Sequence, residues 1–476
     1  MTLARLVLPA LRWRPETGFS HERDAIAQAL KLGVGGFIIF GVPGARADEI
    51  GALTAELRVR AGRPLLLGAD LERGAGQQAR RLTPIPPPAA LASLGDPGVI
   101  AWAGATTARE ARSLGLNWVF APVGDLDLEP ENPIVQTRAF GSDPARVSDA
   151  VATWVRAAQA EGVLACVKHY PGHGRTRHDS HSRLPLVELP LAVLEQTDLR
   201  PFQAAVDAGV GSVMTCHVAF PQWDESDAPA TLSPVILGHL RTALGFRGLV
   251  VTDALIMEGA QGGREPGAAE VAALSAGCDL LLYPPGPATV VAALEQAVAE
   301  GRLPSARVSE ALSRYEAALS QVGALAAVAP DPRAAGEARE VAQRLLASGF
   351  LRGTAPRFPD GVELAVVDDD LGGWYAPGPS DLVRRALARA GVHERHGAPR
   401  VVLAFAEPRA AKGRAGFGPD ARAALERLAP GAALVVLFAH PRLAAEIPGE
   451  APLLLAWHRQ PLMQEAVAGW VVQQMQ

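Results

Sequence analysis

Four of the eleven histidines fall within the thirteen residues 169–181. They lie in the stretch Lys168-His169-Tyr170-Pro171-Gly172-His173-Gly174-Arg175-Thr176-Arg177-His178-Asp179-Ser180-His181. Imidazole changes charge near neutral pH, so such a run suits proton transfer, and Asp179 can fix the tautomer of a nearby ring. A segment broken by proline and glycine does not read as core packing. It follows an apolar run at 163–167 that reads as a buried strand, and reactive side chains in a loop after a strand mark a catalytic site. Of the 45 basic residues only Lys31, Lys168 and Lys412 are lysine. A lysine beside His169 therefore points to a need for a compact ammonium rather than a guanidinium fork.

The 476 residues exceed one ordinary core and suggest two domains. An apolar fraction of 49% with 20% charged residues describes a globular chain. The net charge of −5, without a basic block, argues against nucleic-acid or anionic-membrane partners. Cys166, Cys216 and Cys278 each sit in an apolar run with no short spacing, so they read as buried small hydrophobes, not as disulfides or metal ligands. The apolar run at the N-terminus is too short for a signal peptide, and no stretch is long enough to span a membrane. A cytoplasmic location is the expectation.

The elements that must position the histidine stretch come in a regular alternation. Short apolar runs occur at 6–10, 36–40, 65–69, 118–122, 163–167, 212–216, 249–252 and 279–283. Helical patterns lie between them, among them 99–114, 144–160, 191–208 and 288–300. Continuous apolar strands alternating with helices imply a covered parallel sheet. Eight such units over residues 1–325 predict a (β/α)8 barrel of the TIM type. An open sheet would place a glycine-rich turn after an early strand, whereas Gly33-Val34-Gly35-Gly36 precedes one. Barrel active sites lie at the C-terminal strand ends. The polar residues expected there are Asp70, Asp125, Arg138, Lys168, His169, His217 and Asp253.

Residues 323–334 are rich in Ala, Gly and Pro and read as a linker, followed by a helix near 337–348, so that 326–350 connects two domains. Strand runs at 364–367, 401–405, 434–439 and 453–457 alternate with helices near 381–390, 419–428 and 462–473. This predicts a small α/β sandwich domain with a mainly parallel sheet over 351–476. Its histidines, His393, His396, His440 and His458, are scattered and form no evident catalytic cluster.

The Lys168–Gly174 motif with Asp179-Ser180-His181 resembles the signature of glycoside hydrolase family 3, in its β-N-acetylhexosaminidase branch. Val251-Thr252-Asp253-Ala254-Leu255-Ile256-Met257 resembles that family's nucleophile segment. Further likeness lies in Phe120-Ala121-Pro122-Val123 with Arg138-Ala139-Phe140-Gly141, in His217-Val218 with Leu232-Ser233, and in Leu244-Gly245-Phe246-Arg247-Gly248. The resemblance implies a retaining glycosidase, with Asp253 as nucleophile and His181, paired with Asp179, as general acid/base. It implies that Asp70, Arg138, Lys168 and His169 bind hydroxyls of the terminal sugar, with His173 and His217 as sugar contacts or supports. Gly172 and Gly174 would then be hinges of a mobile loop. The expected substrate carries terminal β-linked N-acetylglucosamine, from peptidoglycan fragments, with no cofactor or metal. Two departures stand out: Arg73 where the family has a glycine, and Arg175 where an aspartate is common.

A phosphorylase or a β-glucosidase on the same fold are the close alternatives. A metal-dependent hydrolase would use His169, His173, His178, Asp179 and His181 as ligands, but Pro171, Gly172 and Gly174 break the helix that i, i+4 ligand spacing needs. A non-catalytic sugar-binding protein is opposed by the intact Asp253 and Asp179–His181 pair.

Overall fold

The computed structural model describes residues 2–42, 44–322, 328–370, 377–410 and 412–475. Nine short strands build the N-terminal part: β1 (Val7–Leu8), β2 (Ala10–Arg12), β3 (Gly36–Phe40), β4 (Leu66–Ala69), β5 (Trp118–Val119), β6 (Leu164–Tyr170), β7 (Ser212–Thr215), β8 (Leu249–Val251) and β9 (Leu281–Leu282). From β2 to β8 they pair in sequence order, every pair parallel. A parallel bridge between Val251 and Leu280 then leads to β9, which pairs with β1. The parallel sheet therefore curls round toward its own start. The run expected as one strand at 6–10 is split in two, because Pro9 has no N–H to give to a ladder.

Helices cover the outside, and their starts are written locally. Asp96, Asp143 and Ser233 each accept a backbone N–H from the first turn, and each is followed by proline. A polar cap and a proline at the first helical position satisfy donors that have no partner inside the helix. The helix expected at 191–208 is broken into Leu191–Gln196 and Arg200–Asp207. Pro201 cannot donate to residue 197 and clashes with its carbonyl, so a single helix cannot run through. Away from the mouth, Asp279 at the start of β9 is fully buried and accepts from Arg241 at 2.6 Å, Arg307 at 2.5 Å and Arg314 at 3.0 Å.

A second sheet follows, from β10 (Phe350–Arg352), β11 (Glu363–Asp368), β12 (Arg400–Ala406), β13 (Leu434–Ala439) and β14 (Leu453–Leu455). Its order is β10-β14-β13-β12-β11, with β11 to β14 parallel and β10 an antiparallel edge that the sequence did not reveal. β10 is three residues long and only partly buried, too short for a period to show. Helix Pro461–Gln473 packs on both Ala334–Ala347 and Leu382–Arg389. Of the expected linker, residues 323–327 lie outside the described residues, and Ala334 is already helical.

The two sheets are joined by polar contacts at named points. Trp102 Nε1 donates to Glu337 at 2.7 Å, Gln136 Nε2 to the Ala415 carbonyl at 2.9 Å and Gln460 Nε2 to the Ile85 carbonyl at 3.2 Å. Asp127 receives Arg442 and lies 2.9 Å from His440 Nε2. Among the described residues no helix is long and apolar enough to cross a membrane.

Candidate active site

β6 carries the first site residues inside the strand, not after it. Its apolar pattern predicts an end at Val167, yet pairing continues through Lys168 to Tyr170, with a register shift between those two residues. Such an irregularity re-aims side chains at a strand end. The Lys168–His169 and Tyr170–Pro171 peptide bonds are cis.

Lys168 is 2% exposed, and its Nζ lies 2.6 Å from Asp70 and 2.7 Å from Glu72. Arg138 grips the same Glu72 with two bonds of 2.9 and 2.8 Å. Two cations and two carboxylates are thus locked together at the ends of three strands. Burial alone would lower the Lys168 pKa, but the Asp70 and Glu72 charges outweigh it and raise it above the ordinary lysine value. Burial likewise opposes ionisation of Glu72, and Arg138 with Lys168 holds it well below the usual carboxylate range. The chemistry that explains the rarity of lysine here is a buried point charge shared between two acids.

The imidazoles divide into distinct environments around Asp125, a fully buried carboxylate. Its Oδ2 meets His169 Nδ1 at 2.7 Å, while Oδ1 accepts the backbone N–H of His173 at 2.7 Å and of His169 at 3.2 Å. Burial raises the Asp125 pKa, and the two histidines more than reverse that. His173 spends both ring nitrogens on Thr176 and Ser180, at 2.8 and 2.9 Å. Burial pushes its pKa down to about 4, so the ring is neutral at physiological pH. His217 is fully buried, with its ring against Thr231 Oγ1 at 2.8 Å and the Ala254 carbonyl at 3.2 Å. It braces the segment that carries Asp253. His178 is exposed.

Asp253 follows β8 and accepts the Ala254 N–H at 2.7 Å. Burial opposes its ionisation, but His169, His217, His181 and that N–H bring its pKa down to about 2. It is a carboxylate at any ordinary pH. His181 shares the cavity with it. One oxygen of the buried Asp179 lies 2.6 Å from His181 Nδ1 and also accepts the His181 backbone N–H at 2.9 Å. Such a double hold orients the ring and fixes its tautomer.

A Cβ on Gly174 would stand 1.6 Å from the Leu126 carbonyl oxygen, so glycine there permits close packing of backbone on backbone. Gly259 N–H donates to the Ser180 carbonyl at 3.1 Å, and Arg175 pairs with Asp198 at 2.8 Å. These contacts tie down the part of the loop that leads into His181.

Asp70, Glu72, Arg138, Lys168, His169, His173, His181 and Asp253 open on one cavity of about 740 Å³, with Asp125, Asp179 and His217 buried behind them. The second sheet lines it as well, through Glu407, Arg409, His458, Arg459 and Gln460. The second sheet, whose sequence shows no evident catalytic cluster, thus contributes side chains to the cavity wall. Glu407 and His458 immediately follow the apolar runs of β12 and β14, the same position that singled out Asp253. Strand-end residues of parallel sheets are where ligands bind, and that signal was present in the sequence. Among the described residues no three His, Cys, Asp or Glu side chains gather as a metal site.

Comparison with known proteins agrees with this geometry. Residues 6–317 match the family described as Glycosyl hydrolase family 3 N terminal domain. A β-N-acetylglucosaminidase/β-glucosidase of Cellulomonas fimi is 32% identical over 338 residues, which cover 66% of this chain and 60% of that protein. A β-hexosaminidase of Chromobacterium violaceum is 37% identical over 269 residues, covering 55% of this chain and 74% of its own. Among solved structures, a family 3 β-N-acetylglucosaminidase from Paenibacillus sp. str. FPU-7 superposes with a TM-score of 0.87 at 28% identity, covering 100% of this chain and 96% of that one. A β-glucoside phosphorylase superposes with a TM-score of 0.85 at 21% identity, a likeness of fold.

Proposed function

Because the chain belongs to glycosyl hydrolase family 3, a glycosidase family, we propose that it releases terminal β-linked N-acetylglucosamine with retention of configuration. The observation that carries the reading is the meeting of Asp253 and the Asp179–His181 pair on the cavity that also holds the Lys168–Asp70–Glu72–Arg138 cluster. Asp253, ionised and close to three imidazoles, is the nucleophile that attacks the anomeric carbon and forms a glycosyl-enzyme. His181 protonates the departing oxygen and then deprotonates the incoming water. Asp179 stabilises the imidazolium in between. Asp70, Lys168, Arg138 and His169 orient the sugar, because charged groups bonded to hydroxyls discriminate strongly among them. His173 and His217, with their ring nitrogens occupied, act as supports. The substrates that fit are amino-sugar glycosides of peptidoglycan-fragment type, encountered in the cytoplasm.

The test is a panel of chromogenic N-acetylglucosaminide, N-acetylgalactosaminide and glucoside, with the first-formed anomer followed by NMR. Fastest turnover on the N-acetylglucosaminide with initial release of the β-anomer is expected. Initial release of the α-anomer would exclude double displacement, and a glycosyl phosphate formed on adding phosphate would make the protein a phosphorylase.

A further inference from the structure

The cavity continues past the groups that the reaction needs. At one end Asp253 interacts with His169, His181 and His217. The Lys168–Asp70–Glu72–Arg138 cluster comes next. Arg73 is within electrostatic range of Glu72 and Arg138 of that cluster and of Glu407 of the second sheet. Arg73 lines the cavity, yet no described side chain makes an ion pair or hydrogen bond with its guanidinium. Its backbone is fixed: the N–H donates to Gln77 Oε1 at 3.0 Å, and its carbonyl accepts from Ile85 at 2.9 Å.

The neighbouring charges do not neutralise it. Lys168 and Arg138 are matched by Asp70 and Glu72. Arg459, 3% exposed, is matched by Asp368 and Asp370, and its Nε has no acceptor. Glu407 is occupied by the Arg459 N–H at 2.7 Å and by His458 at 3.1 Å. Burial and the nearby Asp370 push its carboxyl up to about 7, so it carries only part of a charge near neutrality. A surplus guanidinium in a partly desolvated cavity is costly until an anion reaches it, and its fork matches carboxylate and phosphate.

We propose that Arg73, on the cavity wall facing the strand ends of the second sheet, forms a subsite for an oxyanion substituent on the terminal sugar. The substituent is a phosphate ester or a carboxylate, carried on the side of the sugar away from the scissile bond. The direction follows from the partners: His181 acts on Asp253 at the scissile bond, whereas Arg73 acts on Glu72 and Arg138 of the sugar-holding cluster and on Glu407 of the second sheet. This inference rests on the glycosidase reading and names its substrate class more closely.

The experiment compares para-nitrophenyl β-N-acetylglucosaminide with the same glycoside phosphorylated, or oxidised to a carboxylate, at its primary hydroxyl. The wild type should favour a charged form by about tenfold in kcat/KM, the size of one charge-assisted hydrogen bond. That ratio should collapse in Arg73→Gln and persist in Arg73→Lys. A wild-type ratio of one or less, or a ratio indifferent to Arg73→Gln, overturns the proposal. So does an Arg73 dependence seen only when the carboxylate is on the leaving sugar, or only as acceleration by free inorganic phosphate. If no glycoside is cleaved, the glycosidase reading fails. Calorimetric binding of N-acetylglucosamine phosphorylated at its primary hydroxyl, wild type against Arg73→Gln, then decides the subsite alone: weaker binding to the variant supports it, and equal or absent binding overturns it.

Discussion

Two of the three lysines are buried among carboxylates that follow parallel strands, one in each sheet, and of the two Lys168 lines the cavity shared with Asp253. Lys168 lies between Asp70 and Glu72, with Arg138 on Glu72. Lys412 lies between Asp369 and Asp370 at 3.6 and 3.1 Å, with Arg414 on Asp369 and Arg459 on Asp370. Burial and charge are nearly the same, although Lys168 lies within β6 and Lys412 in the loop after β12. The difference lies in what is left over. In the second sheet each aspartate of the 368–370 run is closed by an arginine. In the first, Asp253 makes no ion pair with an arginine or lysine among the described residues and interacts instead with the imidazoles of His169, His181 and His217. A dense ion-pair network is thus a weak sign of catalysis, and an ionised group without a permanent counter-charge beside titratable neighbours is a stronger one.

The comparison breaks first on the carboxylates. Asp253→Asn should lower kcat by about 10⁴-fold with the fold intact, as removal of a reacting carboxylate does. Asp370→Asn should leave kcat within about tenfold and instead cost roughly 3 kcal/mol of stability, because it strands two cations. Steady-state rates and denaturant unfolding on both variants decide; comparable loss of turnover in the two would erase the distinction drawn between the clusters.

His181→Ala should slow glycosides with poor leaving groups by about 10²–10³-fold, the usual worth of general acid catalysis, and activated aryl glycosides far less. Azide should restore part of the rate by attacking the glycosyl-enzyme without a base. Asp179→Asn should act in the same direction more weakly. Uniform losses across leaving groups, without an azide response, would reduce His181 to a positioning residue.

The lysines sharpen the contrast at the level of binding. Lys168→Met should raise KM by about tenfold or more, since it unbalances Asp70 and Glu72 in the sugar site. Lys412→Met should lower stability and leave KM within about twofold, the spread of a site not touched. A KM increase of equal size in both would mean that the second cluster also holds substrate.

The smallest effect is the response to pH, and its sign differs between the two regions. Asp253 is depressed from 3.8 to about 2, so it contributes stability that is present above pH 3.8 and lost as the pH falls through 2. Glu407 is raised from 4.5 to about 7, so its contribution is present below pH 4.5 and lost as the pH rises through 7. Melting temperature measured across pH 4.5 to 7 should therefore decline less steeply in Glu407→Gln than in the wild type. An identical slope in the two proteins would place the titration elsewhere.

Much of the architecture could be read locally. Apolar runs fall where β3, β4, β6, β7 and β8 form, and Asp-Pro and Ser-Pro pairs stand at the helix starts. Backbone hydrogen bonding and side-chain burial act over a few residues, so strand periodicity and capping survive in the sequence. The misses have local causes too. Pro9 split the first strand, Pro201 broke a helix, and β10 was too short to show a pattern. The candidate residues of the first sheet were legible because they follow apolar runs. Glu407 and His458 follow apolar runs as well, but nothing in a one-dimensional pattern says that two strand ends share a cavity.

By itself the sequence determined the parallel strands, the strand-end placement of Asp70 and Asp253, and the pairing of Asp179 with His181, since two residues of separation let one carboxylate reach both ring and backbone. Only the tertiary structure decided which charges meet. Lys168 and Asp70 are 98 residues apart, and Arg138 and Glu72 are 66 apart. Arg73 belongs to the first sheet and Glu407 to the second, yet they line one cavity. An ion pair depends on a few ångströms of separation and on the water excluded from it, and both are properties of packing that no local stretch of chain contains.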